Sequence, residues 1–302
     1  MRTRTLAAVV VVAAVCLVMP VSLRGWGLDV HRFITGRALD GLPPELKPFY
    51  AAQRAFIVEH SVDPDMWRIV GLKGDRGEED PNHFLDIDAL DDPRPFRNVP
   101  REWTAYVEKY GAERANRAGR LPWRAEDVYT LLVTRFQEAG KTQSAFAGGG
   151  VGYVTAALAH YVEDAHVPFH AVANYDGQLT NQRGIHSRFE SELVMRNLKT
   201  LKLAPVVVRP ISDVRTFIFD TLIAGEALVQ TVLDADRKAA DGREFYDDAY
   251  FAAFLPGARA VMERRVGEAA SGVASAIVSA WTAAGKPPMP VGKTPAPARI
   301  RR

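Results

Sequence analysis

The sequence predicts an all-α fold, a single compact multi-helix bundle, on three observations. Apolar residues recur at helical spacing over most of the chain. No stretch alternates apolar and polar residues for long enough to make a sheet. Prolines, glycines and helix-opening residues break the periodic runs at lengths that suit helices. The expected helices cover 29–41, 44–59, 100–110, 123–139, 150–167, 186–200, 212–238 and 256–284. Asp29 suits the cap of the first, and Pro43-Pro44 opens the second. Gly148-Gly149-Gly150 reads as a hinge before the fifth; it lacks the lysine and spacing of a phosphate-binding loop. That helix is apolar on most of its surface (Val151, Val154, Ala157, Leu158, Val162), and Pro168 ends it. Ser212 is a weaker cap for the seventh. Val206–Val208 is a short β-branched run bracketed by Pro205 and Pro210. Loops are expected at 71–82, 111–122, 139–150 and 171–185.

With 302 residues, 47% of them hydrophobic, the chain can bury a sizeable core. A formal net charge of +2 argues neither for nor against a nucleic-acid partner. Residues 1–25 read as an export signal: Arg2 and Arg4 lead an apolar run from Leu6 to Met19, which Pro20 and Ser22 end. The product is expected to be periplasmic or secreted. The single cysteine, Cys16, lies in that segment, so the mature chain is expected to use neither disulfides nor thiol chemistry. Residues 26–284 form the expected domain. Residues 285–302 are proline-rich and basic and are expected to be a disordered tail.

Chemistry concentrates between His160 and Glu190. His160/Asp164 and His186/Glu190 are each four residues apart, so each pair presents two groups on one helix face. Imidazole and carboxylate together make a zinc-type ligand set. On an apolar helix, Asp164 points inward, where an unpaired carboxylate is costly; a metal or a buried arginine would relieve that cost. Upstream candidates are His31, His60 with Asp63 and Asp65, and His83 with Asp86 and Asp88. Spacing does not choose among these, nor between His166 and His170. Glu163 and His166 form one Glu-x-x-His, but no second such motif exists to complete a di-iron bundle. The polar loop 171–185, with Asn174, Tyr175 and Asp176, joins the two ligand pairs and suits either substrate contact or a solvated connection.

Taken in order, WG followed by His31, DPD, HFLDID, HYVEDAHVPFH and IHSRFE resemble the zinc-dependent phospholipase C superfamily, which also holds single-strand-specific zinc nucleases. The likeness runs from residue 26 to about 195. It implies an all-α fold and three zinc ions. The first would be held by Asp65, His83, His160 and Asp164, and the second by His170, His186 and Glu190. The third would be held by the α-amino group and carbonyl of Trp26 and by His31, with Asp164 bridging. Asp65 is preferred to Asp63, and Asp65 and Asp164 are the carboxylates implied to serve catalysis. Cleavage after Gly25 would free the Trp26 amine; cleavage after Ser22 would remove it as a ligand.

The resemblance further implies hydrolysis of a phosphodiester by a zinc-bound hydroxide. The expected substrate is a phospholipid head group or single-stranded nucleic acid, with no stable protein partner. Glu190 matches the phospholipase branch, whereas the five-residue step from Trp26 to His31 matches the nucleases. The reading leans to a phospholipase C-type enzyme. Phe84, Tyr153, Tyr161, Phe169 and Tyr175 are the aromatics available to stack bases. A non-catalytic zinc-binding helical protein is the alternative from another class.

Overall fold

A computed structural model describes residues 27–74 and 77–290. The expected signal at 1–25, Trp26 and the tail residues 291–302 lie outside the described residues. The fold is an all-α bundle. In chain order its helices are α1 (Leu28–Asp40), α2 (Lys47–His60), α3 (Asp63–Ile69), α4 (Trp103–Tyr110), α5 (Ala112–Ala118), α6 (Leu121–Thr142) and α7 (Ala145–Ala165). There follow α8 (Ile185–Ser187), α9 (Val194–Asn197), α10 (Val214–Glu226), α11 (Val229–Ala240) and α12 (Asp248–Ala283). A π-helical turn, Arg188–Leu193, joins α8 to α9. The sheet among the described residues is one hairpin, β1 (Lys73–Gly74) with β2 (Gly77–Glu78).

Helix α7 is the axis of the bundle. From Val151 to Ala165 all but one of its residues are buried, as befits a helix that is apolar nearly all round. It packs against α6, α2 and α12, while α11 lies along α12 and α1 along α2. The glycine triplet is not a hinge, because α7 begins at Ala145 and runs through it. A Cβ at Gly148 would press on Phe49 of α2 and on Pro290, and one at Gly152 would displace the end of the Gln53 side chain. Ser144 caps this helix, accepting from the Ala147 amide at 3.1 Å.

Other expectations shift for physical reasons. Asp29 sits inside the first turn of α1 and pairs with Arg32 at 3.2 Å rather than capping. Asp213, not Ser212, caps α10. The expected loop at 111–122 contains α5, a short helix between Gly111 and Gly119. Helix α12 starts eight residues before Pro256, whose missing N–H falls on the exposed face, where the freed Ala252 carbonyl is open to solvent. Residues 285–290, placed by sequence in the tail, pack back on the bundle: Trp281 Nε1 donates to the Pro287 carbonyl at 2.9 Å and Gln143 to that of Pro288 at 2.8 Å. The stretch Val214–Ala240 is, among the described residues, the one helical run long and apolar enough by composition to cross a membrane; half of its apolar window is buried inside the fold.

The β-branched run 206–208 is extended and lies on α12 as a strap. The amides of Val207, Arg209 and Ile211 donate to the hydroxyls of Ser271, Ser275 and Ser279 at 3.2, 3.0 and 2.9 Å. Hydroxyls four residues apart thus serve alternate amides of the strap.

The segment carrying His83 has no long helix to hold it. It hangs from neighbouring backbone: Leu85 N donates to the His170 carbonyl, Asp86 N to that of Ala118, and Leu121 N to that of Phe84. Gly119 makes this approach possible, with φ of +108° and no room for a side chain against the Phe84 carbonyl. Gly119→Ala is expected to cost about 1–3 kcal/mol in strain. At roughly 2–4 °C per kcal/mol, the thermal midpoint in a circular-dichroism melt should fall by several degrees; an unchanged midpoint would show that the turn relaxes freely.

Candidate metal centre

Three groups of side chains come together at the heart of the bundle: His31 with His160 and Asp164, Asp65 with His83 and His160, and His170 with His186 and Glu190. All eight residues are buried. Helix α7 contributes His160 and Asp164 one turn apart. Helix α1 contributes His31, α3 contributes Asp65, the turn after α7 contributes His170, and α8 with the π-helical turn contributes His186 and Glu190.

Asp164 touches members of all three groups. Its Oδ2 lies 2.9 Å from His83 Nδ1 and 3.1 Å from His160 Nε2. Its Oδ1 lies 3.6 Å from both His31 Nε2 and His170 Nδ1. Asp65 Oδ1 is 3.9 Å from His83 Nδ1 and 4.0 Å from His160 Nε2, and His186 Nε2 is 2.7 Å from Glu190 Oε2. Two ligands each about 2.0–2.1 Å from a tetrahedral zinc lie roughly 3.3 Å apart, which is the range of these separations.

The outer contacts decide which ring nitrogen faces inward. His160 Nδ1 meets the Ser61 carbonyl at 2.9 Å, and His170 Nδ1 meets that of His83 at 2.7 Å. His31 Nδ1 meets Glu163 Oε2 at 2.6 Å, and Glu163 is steadied by Thr35 Oγ1 at 2.7 Å. Each of these Nδ1 atoms carries the proton in a neutral ring, so the three Nε2 lone pairs are turned inward. His31 Nε2, His170 Nε2 and Asp164 Oδ1 are buried without a hydrogen-bond partner. Buried acceptors aimed at one another are costly unless a cation stands among them. The donor set, two carboxylates and four imidazoles around Asp164's end of the centre, fits a zinc-type ion better than calcium or magnesium. Arg68 adds a fixed cation, its NH2 3.0 Å from Asp65 Oδ1.

Burial sets the protonation states. Burial first, then the neighbouring charged groups, holds His31 and His83 well below the ordinary histidine value. His160 is lowered by burial despite Asp65, and His170 is brought to about 4, mainly by burial. Burial also raises the Asp65 carboxyl to about 6 and that of Asp164 to about 7. His31, His83, His160 and His170 are thus neutral, the state that metal ligation requires.

The geometry brings together every described residue named for the centre: His31, Asp65, His83, His160, Asp164, His170, His186 and Glu190. Trp26 lies outside the described residues. Asp63 pairs instead with His60 at 2.8 Å, at a partly exposed position. His166 is buried elsewhere, its Nδ1 on the Val162 carbonyl. Asp86 lines a small cleft with Phe84, Phe169, Tyr175, His83, His170 and His186. In the loop 171–185 several polar side chains hold the loop itself: Asn174 Oδ1 accepts from Leu179 N, Asp176 Oδ1 from Gly184 N, and Gln178 donates to the Ala173 carbonyl. Two carboxylates of the surround escaped the sequence reading in this role. Glu163 orients His31. Glu79 lies 3.8 Å behind His83 Nε2 and is held by Asn82 and the Tyr161 hydroxyl. Glu163 had a signal, an acidic residue on an apolar helix; Glu79 had none.

No family model matches the chain. A curated protein of Bradyrhizobium tropiciagri named a probable serine protease is 25% identical over 213 aligned residues, covering 56% of this chain. The alignment takes in 26% of that protein, so the match spans about a quarter of the relative's length.

Proton competition follows from the raised carboxyls. A raised folded-state value means the folded chain holds these protons more tightly than the unfolded chain. That stabilisation is complete below the ordinary carboxylate value and is lost as pH rises through about 6 for Asp65 and about 7 for Asp164. A metal cation held by these carboxylates would displace the same protons. The rise in thermal midpoint on adding zinc to chelator-stripped protein is therefore expected to grow between about pH 5.5 and 7.5. A zinc effect of constant size across that window would rule out these carboxyls as the groups displaced.

Proposed function

We propose that this chain is a zinc-dependent hydrolase of phosphate esters, in the first place a phospholipase C-type enzyme, with three zinc ions. The observation that carries the reading is Asp164: one fully buried carboxylate within 3.6 Å of His31, His83, His160 and His170. That arrangement suits several closely spaced ions better than a single one. His31, His83, His160, Asp65 and Asp164 would hold zinc on one side, and His170, His186 and Glu190 on the other. When bound, zinc supplies Lewis acidity and lowers the pKa of water towards neutrality.

The chain's own residues supply the rest. Glu163 and the Ser61 and His83 carbonyls hold three imidazoles in the ligating tautomer. Arg68 sets a positive charge beside Asp65, from which an anionic ester bound at the centre would gain. The group of three, His170, His186 and Glu190, leaves room in a tetrahedral shell for substrate, which favours an enzyme over a closed structural site. The relative's name raises a serine nucleophile as a competing reading. The histidines here engage carboxylates, backbone carbonyls or one another, and Ser61, Ser271 and Ser275 donate to backbone carbonyls. The donor set therefore favours metal-dependent hydrolysis.

Exposed Ile69, Val70 and Leu72 follow Asp65 on and just beyond α3 and offer the apolar rim that a lipid substrate wants. A second reading, a single-strand-specific nuclease, is favoured by the aromatic walls of the cleft at His170 and His186, where the half-buried Phe84 and Tyr175 can take a base; Phe169 lines the same cleft but is fully buried. Tyr161 is fully buried and takes no part in such stacking. Export to the periplasm or beyond is proposed from the N-terminal pattern alone.

The test offers phosphatidylcholine micelles and single-stranded DNA to the purified protein, with and without a zinc chelator. Chelator-sensitive release of phosphocholine is expected; cleavage of DNA alone would make the nuclease the better reading, and activity on neither by zinc-loaded protein would remove both. Asp164→Asn is expected to lower zinc-dependent turnover by more than the ~10–100-fold typical of an outer contact.

A further inference from the structure

Arg188 lies midway between His186 and Glu190, two residues from each, and so projects from the opposite side of the helix. It is nearly fully buried, and none of its contacts is to the metal-binding groups. Its Nε and NH2 donate to Asp236 Oδ1 at 3.2 and 3.0 Å. NH1 donates to the Arg183 carbonyl at 2.7 Å, and NH2 to that of Gln182 at 3.1 Å. The guanidinium stacks on the Tyr246 ring, 3.8 Å from its centroid. Asp236, 1% exposed on α11, is completed by Gln182 Nε2 at 2.7 Å and by the Tyr250 hydroxyl of α12. Gln182 also reaches the Leu233 carbonyl at 2.7 Å. One guanidinium thus ties the polar loop, the ligand-bearing turn, α11 and α12 together.

The turn it holds is irregular helix. Residues Arg188–Leu193 form a π-helical turn, a geometry that persists only where its surroundings over-determine it. Glu190 lies on this turn and His186 in the short helix before it. Rotating the turn about its axis by a few tens of degrees would carry both ligands away from His170. A buried fork on the far face, held to four groups, opposes that rotation. Asp236 makes the fork affordable, since an unpaired guanidinium at this depth would be strongly destabilising.

We propose that Arg188 and Asp236 form a positioning clamp that holds His186 and Glu190 in register with His170, and so sets the affinity of that one ion site. The proposal rests on the zinc reading. It predicts that loosening the clamp weakens one class of metal site and leaves the Asp65/His83/His160/Asp164 group unchanged.

The experiment uses full-length mature protein stripped with chelator and titrated with Co²⁺, followed by visible absorption and by zinc competition. Arg188→Lys keeps the charge and loses the fork; Asp236→Asn keeps the shape and loses the charge, and carries the test if the lysine variant fails to fold. Each is expected to weaken one class of site by ~10–100-fold, the usual effect of an outer contact, and to leave the others at wild-type affinity. Ser275→Ala, which removes a strap contact far from the clamp, should lower the thermal midpoint with all metal affinities intact, separating positioning from general stability. Wild-type affinity at every site in a folded clamp variant would overturn the proposal, as would uniform weakening of all sites. Wild-type protein that takes up no metal would overturn the zinc reading itself, and the clamp with it, before any variant is made.

Discussion

A carboxylate taken out of water governs this molecule. Asp164 is fully buried, and its environment pulls its proton affinity up to about neutrality, mainly through desolvation. Around it stand imidazoles whose own burial keeps them neutral and whose outer nitrogens are already committed to carbonyls or to Glu163. Such a cluster is a poor core for a protein and a good cradle for cations. Folding brings the lone pairs together, and ions convert their mutual repulsion into shared attraction. A metal held here would therefore couple its binding to folding, since the unfolded chain cannot assemble the same donors.

The donors stand on backbone of very different rigidity. His160 and Asp164 ride on the central helix, walled on several sides by other helices. His31 comes from α1 and leans on the same helix through Glu163. His83 sits on a looped segment stitched to Ala118, Leu121 and His170 by main-chain hydrogen bonds. His186 and Glu190 occupy short and irregular helix. Regular helix thus gives way to loop, short helix and a π-helical turn from α7 outward, and the polar network about Arg188 and Asp236 lies on the π-helical turn.

What could be read beforehand follows the same gradient. The pairs His160/Asp164 and His186/Glu190 were legible because four residues make about one helical turn. His31, Asp65 and His83 are remote in sequence, and spacing carried no information about them; only the ordered set of motifs did. Local glycine and proline rules misled where packing overrode them. The glycines at 148–150 read as a break, yet the helix runs through them, and Gly148 packs against Phe49 of α2. Pro256 read as a start, yet its exposed position lets the helix run through. Asp236 was out of reach, since nothing near residue 236 marks it as the partner of an arginine 48 positions earlier.

The strap over α12 works as a vernier. Four helical residues advance about 6.0 Å, while two extended residues advance roughly 6.6 Å. The two scales therefore slip by about half an ångström with each rung, and only a few rungs can stay in hydrogen-bonding range. The chain stops the ladder at both ends: one turn before Ser271 stands Gly267, with no hydroxyl, opposite Pro205, with no amide hydrogen, and one turn after Ser279 stands Ala283. Pro210 falls on the outward side, where no amide is needed. A strap indexed in this way has a single in-register setting, so a deletion within residues 205–211 would displace the whole ladder instead of shortening it.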